Sequence, residues 1–379
     1  MSSAPKSERA ESPLPRDAPR RSAPRAEARL AARGGAVELL RVPAALFGAL
    51  VRVRRAAYDR GLLPRARVAA AVVSVGNLTV GGTGKTPFSA WLVRELERRG
   101  RRAGLLSRGY GAERGHGGND EAQLLAELCP GVPHVQDPDR VRGAGALIGR
   151  GVDAIVLDDG FQHRRLARDL DIVLVDATRP WGLPSAEPGA PPVRALLPRG
   201  FLREPPSSLA RADVIVLTRT DAVAQAELEA LELEIGVLAP GRPIATSEHR
   251  VSALRTSAGA RVEFADLRGR TVELISAIGN PLAFERSVRA LGADVAAHHV
   301  FPDHHRFRRA DVPTPASGAW LVATAKDAVK LAPLGVAFVT LDVELALVRG
   351  VSVLEALLDA LPPCERELQR AALHEGLHG

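Results

Sequence analysis

The chain of 379 residues carries 51 Lys and Arg against 44 Asp and Glu, a formal charge of +7, and is 46% apolar and 25% charged. That balance excludes a wholly disordered chain and leaves room for two domains with sizeable cores. Aromatic residues at 4% argue against a platform that stacks exposed rings on bases, while the basic excess favours an anionic partner: nucleotide, acidic lipid or nucleic acid.

Residues 1–35 are rich in Pro, Ala, Ser and Arg and poor in large apolar side chains, so they read as a disordered basic tail without the apolar core of a secretory signal. Residues 36–64 read as an amphipathic helix. Its longest uncharged run, Val42 to Val51, is too short to span a bilayer. At 100° per residue Arg41, Arg52 and Arg55 fall opposite Leu39, Leu46, Leu50 and Val53. Such a helix can lie among anionic headgroups, or it can pack on its own domain.

The most informative stretch is Val72 to Pro87, VVSVGNLTVGGTGKTP. An apolar β-branched run gives way to a glycine loop and then to a helical pattern, the strand–loop–helix order of a phosphate-binding loop. Glycines let backbone N–H groups turn inward, and the helix presents its positive end to the anion. Gly81, Gly82, Thr83 and Gly84 would form the cradle, Lys85 would reach the outer phosphates, and Thr86 would offer its hydroxyl to magnesium. Thr79 stands where the consensus has its first glycine.

Further α/β rhythm follows: a helix to Arg99, a short strand Ala103 to Leu106, and helices at Asp120–Leu128 and about 139–150. A buried strand, Val152 to Leu157, delivers Asp158-Asp159-Gly160, where a P-loop protein places the carboxylate that meets magnesium. A strand ending at Asp176 and a proline-rich loop with Arg194, Arg199 and Arg203 come next, then a strand into Thr218-Arg219-Thr220-Asp221. That tetrapeptide resembles the guanine-reading N-K-x-D with two substitutions. Composition loosens near 241–260, where a domain boundary is expected. Beyond it come strands at 272–278, 320–323 and 336–343 and a last helix near 354–361, and Cys129 and Cys364 show no metal or redox spacing. The run from His298 to His305 lacks zinc-type spacing; it reads as a surface loop, or as the source of a His that orients a carboxylate across a cleft.

Together these motifs resemble the tetraacyldisaccharide 4'-kinases of lipid A synthesis: V-G-N-L-x-x-G-G-T-G-K-T-P at Val75–Pro87, S-R-G-Y-G at Ser107–Gly111, D-E-A at Asp120–Ala122, D-D-G-F-Q-H at Asp158–His163, L-R-E-P at Leu202–Pro205, G-N-P at Gly279–Pro281, F-P-D-H-H at Phe301–His305 and K-D-A-V-K at Lys326–Lys330. The resemblance implies ATP and Mg2+ as cofactors and phosphoryl transfer to the 4' hydroxyl of a lipid-bearing glucosamine disaccharide 1-phosphate. It places the enzyme peripherally on the cytoplasmic face of the inner membrane, with the anionic surface as partner and with neither nucleic acid nor an obligate protein partner. It implies Asp120 as the base, His304 as its partner, Lys85 and Arg203 on the nucleotide phosphates, and Thr86, Asp158, Asp159 and Glu204 around the metal. Asn119 departs from the Gly usual in the family. The expected fold is a P-loop-type, mostly parallel sheet with helices on both faces over 65–245, a smaller α/β domain over 246–362, an N-terminal amphipathic membrane helix, and a tail over 363–379. Two rivals are a GTPase or metal-insertion factor and a nucleotide-gated membrane module without an acceptor.

Overall fold

The computed structural model describes residues 29–109, 120–184, 191–303 and 305–363, with the backbone alone at residue 120. Tail positions 1–28, the loop around Asn119 and residues 364–379 lie outside them. Residues 29–35, expected within the tail, are seated. The nearly fully buried Arg199 donates to the carbonyls of Leu30 (2.7 Å) and Ala32 (3.0 Å) and to Glu38 (2.7 Å), and Ala31 packs with Leu183 and Val193.

A 3-10 turn, Gly35–Leu40, leads into α1, Arg41–Asp59. This helix rests on the body through its small residues: Ala44 and Gly48 are buried, and a Cβ on Gly48 would stand 2.7 Å from the Leu196 side chain. Its apolar stripe faces outward. Leu39, Val42, Leu46, Leu50 and Val53, three or four residues apart, are 65% to 74% exposed, so the stripe is not packed on the described body of the protein. Among the described residues no helix is long and apolar enough to cross a membrane.

The chain then runs β1 (Ala71–Asn77), α2 (Lys85–Arg98), β2 (Ala103–Ser107), α3 (Asp120–Leu128), β3 (His134–Gln136), α4 (Arg140–Ile148), β4 (Ala154–Asp158), β5 (Leu170–Asp176) and β6 (Val214–Thr218). It continues through α5 (Gln225–Leu238), β7 (Ile244–Thr256), β8 (Arg261–Val262), β9 (Thr271–Ser276), α6 (Pro281–Ala290), β10 (Asp294–Val300), β11 (Trp320–Thr324), α7 (Ala325–Leu331), β12 (Val339–Arg349) and α8 (Val351–Asp359). The strands form a single 12-stranded sheet in the order β10-β9-β11-β12-β7-β6-β5-β1-β4-β2-β3, with β8 against β7. Every pairing is parallel except β7 with β12 and β7 with β8, in line with the mostly parallel α/β fold expected.

Strands β1, β4 and β6 are buried along their whole length, as apolar runs covered on both faces should be. The boundary expected near residue 245 falls in β7, whose first residues pair with β6 while the strand as a whole pairs with β12, so the sheet continues across it. The last helix also returns. Leu354, Leu358 and Leu361 join the core of Phe88 and Leu92 behind β1, and Arg101 donates to the Pro362 carbonyl at 2.6 Å.

Two sequence expectations change here. The histidine run is not wholly loop, because His298 and His299 sit on β10. His298 is buried between Ser276 (2.8 Å) and Glu285 (2.9 Å), His299 bonds Glu273 (3.0 Å), and His305 bonds Asp311 (3.2 Å) and stacks on Phe301. Their ring nitrogens are engaged by these side chains, and among the described residues no group of three His, Cys, Asp or Glu could hold a metal. Strand β12 also runs on to Arg349, because pairing with β7 extends it past the apolar segment.

Candidate active site

At the carboxyl end of β1 the chain turns through Gly81 (φ 108°) and Gly84 (φ 86°) before α2 starts at Lys85, two positions whose left-handed backbone favours glycine. The loop is fastened on every side. Asn77 Nδ2 donates to Thr83 Oγ1 (3.0 Å), Thr218 Oγ1 to the Thr83 carbonyl (3.0 Å), and Gln162 Nε2 to the Asn77 carbonyl (2.8 Å). Backbone bonds Val80 N to Phe201 O and Arg203 N to Leu78 O tie it to the proline-rich loop, against which the buried Thr79 also pairs with Leu202. From the C-terminal side Gly279 presses in so closely that a Cβ there would lie 2.4 Å from Gly82 N. Arg179 donates to the Gly279 carbonyl at 2.8 Å, and Asn280 reaches Thr178 at 3.0 Å.

Next to β1, β4 ends at Asp158, and Asp159 follows with φ 53°, an unfavourable value for a residue with a side chain. Close packing explains how it is held. A Cβ on Gly160 would come within 2.7 Å of Ser74 Oγ, and one on Gly76 within 2.5 Å of Phe161 Cβ, so D-D-G-F is clamped onto β1.

The two carboxylates live in opposite environments. Burial and the charge of Glu121 push Asp158 from 3.8 up to about 7 against the pull of Lys85, and Ser89 Oγ donates to it at 3.0 Å. Burial also opposes ionisation of Asp159, but Lys85 (3.5 Å) and Arg203 (2.7 and 2.9 Å) hold its carboxyl well below the ordinary range. Two cations at the cradle's mouth thus share one carboxylate, while burial dominates at its neighbour.

Lys85, Thr86, Arg203, Glu204, Asp158 and Asp159 all belong to one site; those the cradle loop supplies and those from β4 and the proline-rich loop meet around a cavity of about 1880 Å³. Glu204, expected beside the metal, is buried and paired with Arg211 at 3.0 Å, and Arg211 lies over the Phe161 ring. Asp120 opens α3, but its side chain and the whole of His304 lie outside the described residues. The guanine-like T-R-T-D is spent on the scaffold. Thr218 fastens Thr83, Arg219 pairs with Asp176, and Thr220 and Asp221 bond β7 through the Ser247 carbonyl and the His249 N–H.

Sequence reasoning missed Arg140, which is nearly fully buried, lines the cavity and feels both Asp158 and Asp159. It also gave no role to Gly279, Glu121 or Lys326. Their motifs were visible as text, but only the fold carries them to the cradle.

The chain is similar to known proteins over most of its length. A tetraacyldisaccharide 4'-kinase of Anaeromyxobacter dehalogenans strain 2CP-C is 44% identical over 340 residues, spanning 82% of this chain and 87% of its own, and one from Geobacter sulfurreducens is 37% identical over 319 residues, spanning 77% and 84%. The crystal structure of LpxK from Aquifex aeolicus in complex with ATP superposes with a TM-score of 0.65 at 30% identity, covering 85% of this chain and 98% of that one. The family model described as tetraacyldisaccharide-1-P 4'-kinase matches residues 36–362, and the chain belongs to that family.

Proposed function

We propose that this chain transfers the terminal phosphoryl group of ATP to the 4' hydroxyl of a tetraacylated glucosamine disaccharide 1-phosphate in lipid A biosynthesis. Beside the family membership, the observation that carries this reading is the fastened Gly81–Thr86 cradle with Lys85 and Arg203 at its mouth. Phosphoryl transfer asks a protein chiefly to align two reactants and to neutralise charge. Lys85 and Arg203 would move from Asp159 to the nucleotide phosphates. The sugar oxygen would attack the γ-phosphorus, its proton would pass to Asp120, and ADP would leave with the electron pair of the broken bond. His304 would orient Asp120 and relay the proton onward.

The residues present fit a magnesium ion. Asp158 is a carboxylate held up near 7 by burial and by the charge of Glu121, which a bound cation would offset, and Thr86 follows the cradle lysine. Magnesium asks little more of a protein, since phosphates and water complete its shell. Held by Asp158 and Thr86, it would supply neutralisation of the phosphates' negative charge. Asp158 would hold it, joined by Asp159 once Lys85 and Arg203 have turned to the phosphates, and Glu204 would act through Arg211.

The exposed stripe on α1 supports a peripheral place on an anionic membrane, with Arg41 and Arg52 on the opposite, basic side. Phe47 and Leu50 of α1 also line the cavity that holds the cradle, so a lipid could keep its chains in the membrane while its sugar reaches Lys85. The test is transfer of γ-label from ATP, and separately from GTP, to the disaccharide in mixed micelles or anionic vesicles. Labelled bisphosphate formed from ATP supports the reading. A GTP preference, or nucleotide binding without product, refutes it.

A further inference from the structure

Lys326 stands in the first turn of α7, on a rigid platform. Thr324 caps the helix by accepting from Asp327 N (3.2 Å), and the fully buried Asp327 accepts from Thr324 Oγ1 (2.7 Å), Ala277 N (3.0 Å) and Lys330 (3.1 Å). From there the Lys326 ammonium points into the main cavity, its side chain only 16% exposed, and a cation so far from water has to be paired. Among the described residues it meets two carboxylates, Asp303 at 3.1 Å and Glu121 at 3.6 Å.

Those partners come from different parts of the fold. Glu121 belongs to α3, whose Leu125 packs with Phe88 of α2 in the core behind the cradle. Asp303 follows β10 at the C-terminal end of the sheet. Each is the chain neighbour of a residue assigned above to the chemistry: Glu121 follows Asp120, and Asp303 precedes His304. Glu121 also lies close enough to Asp158 for its charge to be felt there.

We infer that Lys326 is a positioning residue, an ionic clasp that draws the start of α3 and the Asp303 segment together and thereby sets the approach of Asp120 to His304. The inference rests on the kinase reading and on the roles given to those two residues. A clasp suits this place because neither element contributes a backbone ladder to the other. The α3 helix joins no strand and Asp303 sits in a turn, so side chains must fix their relative placement. A misplacement of about 1 Å between base and acceptor can cost about 100-fold in rate, while phosphate binding at the cradle, fastened by its own bonds, would not feel it.

The experiment measures kcat and both KM values for the full chain in the lipid phosphorylation assay, with ATP affinity and melting temperature alongside. The variants are Lys326→Met, Lys326→Arg, Asp303→Asn and the double Lys326→Met/Asp303→Asn. Expected are a kcat about 100-fold lower for Lys326→Met with ATP affinity and both KM values held within about twofold, substantial recovery in Lys326→Arg, and a double variant no slower than Lys326→Met alone. Asp303→Asn, at a partly exposed position, should fold normally and lower kcat about 10-fold. Wild-type kcat in Lys326→Met or in Asp303→Asn overturns the clasp, as does a loss confined to the KM for lipid, which would make Lys326 a substrate contact. A wild-type enzyme that binds ATP and makes no product overturns the kinase reading beneath it.

Discussion

The two ends of the sheet solve different problems. Around β1 and β4 the strands are buried on both faces, and most of the phosphate cradle is backbone, held by Asn77, Thr83 and Thr218. At the other end β10 and the later part of β12 are only partly buried, and what that end brings to the cavity is a turn and side chains: Gly279 against Gly82, and Asp303 and Lys326 toward Glu121. On the proposed function, one end would bind phosphate by shape. The other acts on it by contact from across the cavity, and its effects should therefore be separable from nucleotide binding.

The strongest way to sharpen that contrast is Asp158→Asn. Turnover should fall about 1000-fold, because the carboxylate assigned to charge neutralisation is gone. Stability should move the other way in the absence of nucleotide. The folded-state pKa of Asp158 is raised from 3.8 to about 7, so its contribution is fully favourable below pH 3.8 and is lost as pH rises through about 7. At pH 8 the buried charge costs up to about 4 kcal/mol, and Asn removes that cost. The variant should melt higher than wild type at pH 8, with the gap closing toward pH 5. A melting temperature that falls equally at both pH values would deny the charged, uncompensated state of Asp158.

A smaller effect is expected from Gly279→Ala. The new methyl would meet Gly82 N at 2.4 Å, so either the cradle or the G-N-P turn must shift. ATP affinity, read by calorimetry, should weaken about 10-fold, the order of a 1 to 3 kcal/mol overpacking cost. Unchanged affinity would show that the C-terminal turn does not support the cradle. Smallest in its effect on the chemistry is Val42→Gln with Leu46→Gln on the exposed face of α1. Sedimentation with anionic vesicles should drop at least about 10-fold, since each side chain contributes roughly 1.5 to 3 kcal/mol on burial. Turnover in detergent should change less than about twofold. Full vesicle binding by this variant would remove α1 as the membrane contact.

The β1 end was legible in the sequence because its signals are local: continuous apolar runs at β1, β4 and β6, with glycines placed where φ turns positive. The C-terminal end was less so. Strand β7 carries Glu248, His249 and Arg250 in its middle, and β10 carries His298 and His299, because both are only half-buried and satisfy polar groups sideways. Periodicity cannot distinguish such segments from loops. Site residues divided in the same way. Lys85 and Thr86, and Asp158 and Asp159, are named by two local motifs, whereas the commitment of Asp159 to Arg203 and of Glu204 to Arg211 depends on packing of the proline-rich loop. Lys326 and Gly279 needed the whole fold.

The central claim is that nucleotide capture at the cradle and acceptor activation at Asp120 are carried by separate residues, and Asp120→Ala tests it most directly. With ATP affinity measured by calorimetry and label transfer to the disaccharide in a single turnover, the variant should bind ATP within about twofold of wild type and transfer at least about 100-fold more slowly. Transfer at the wild-type rate, or ATP binding lost together with transfer, would contradict it.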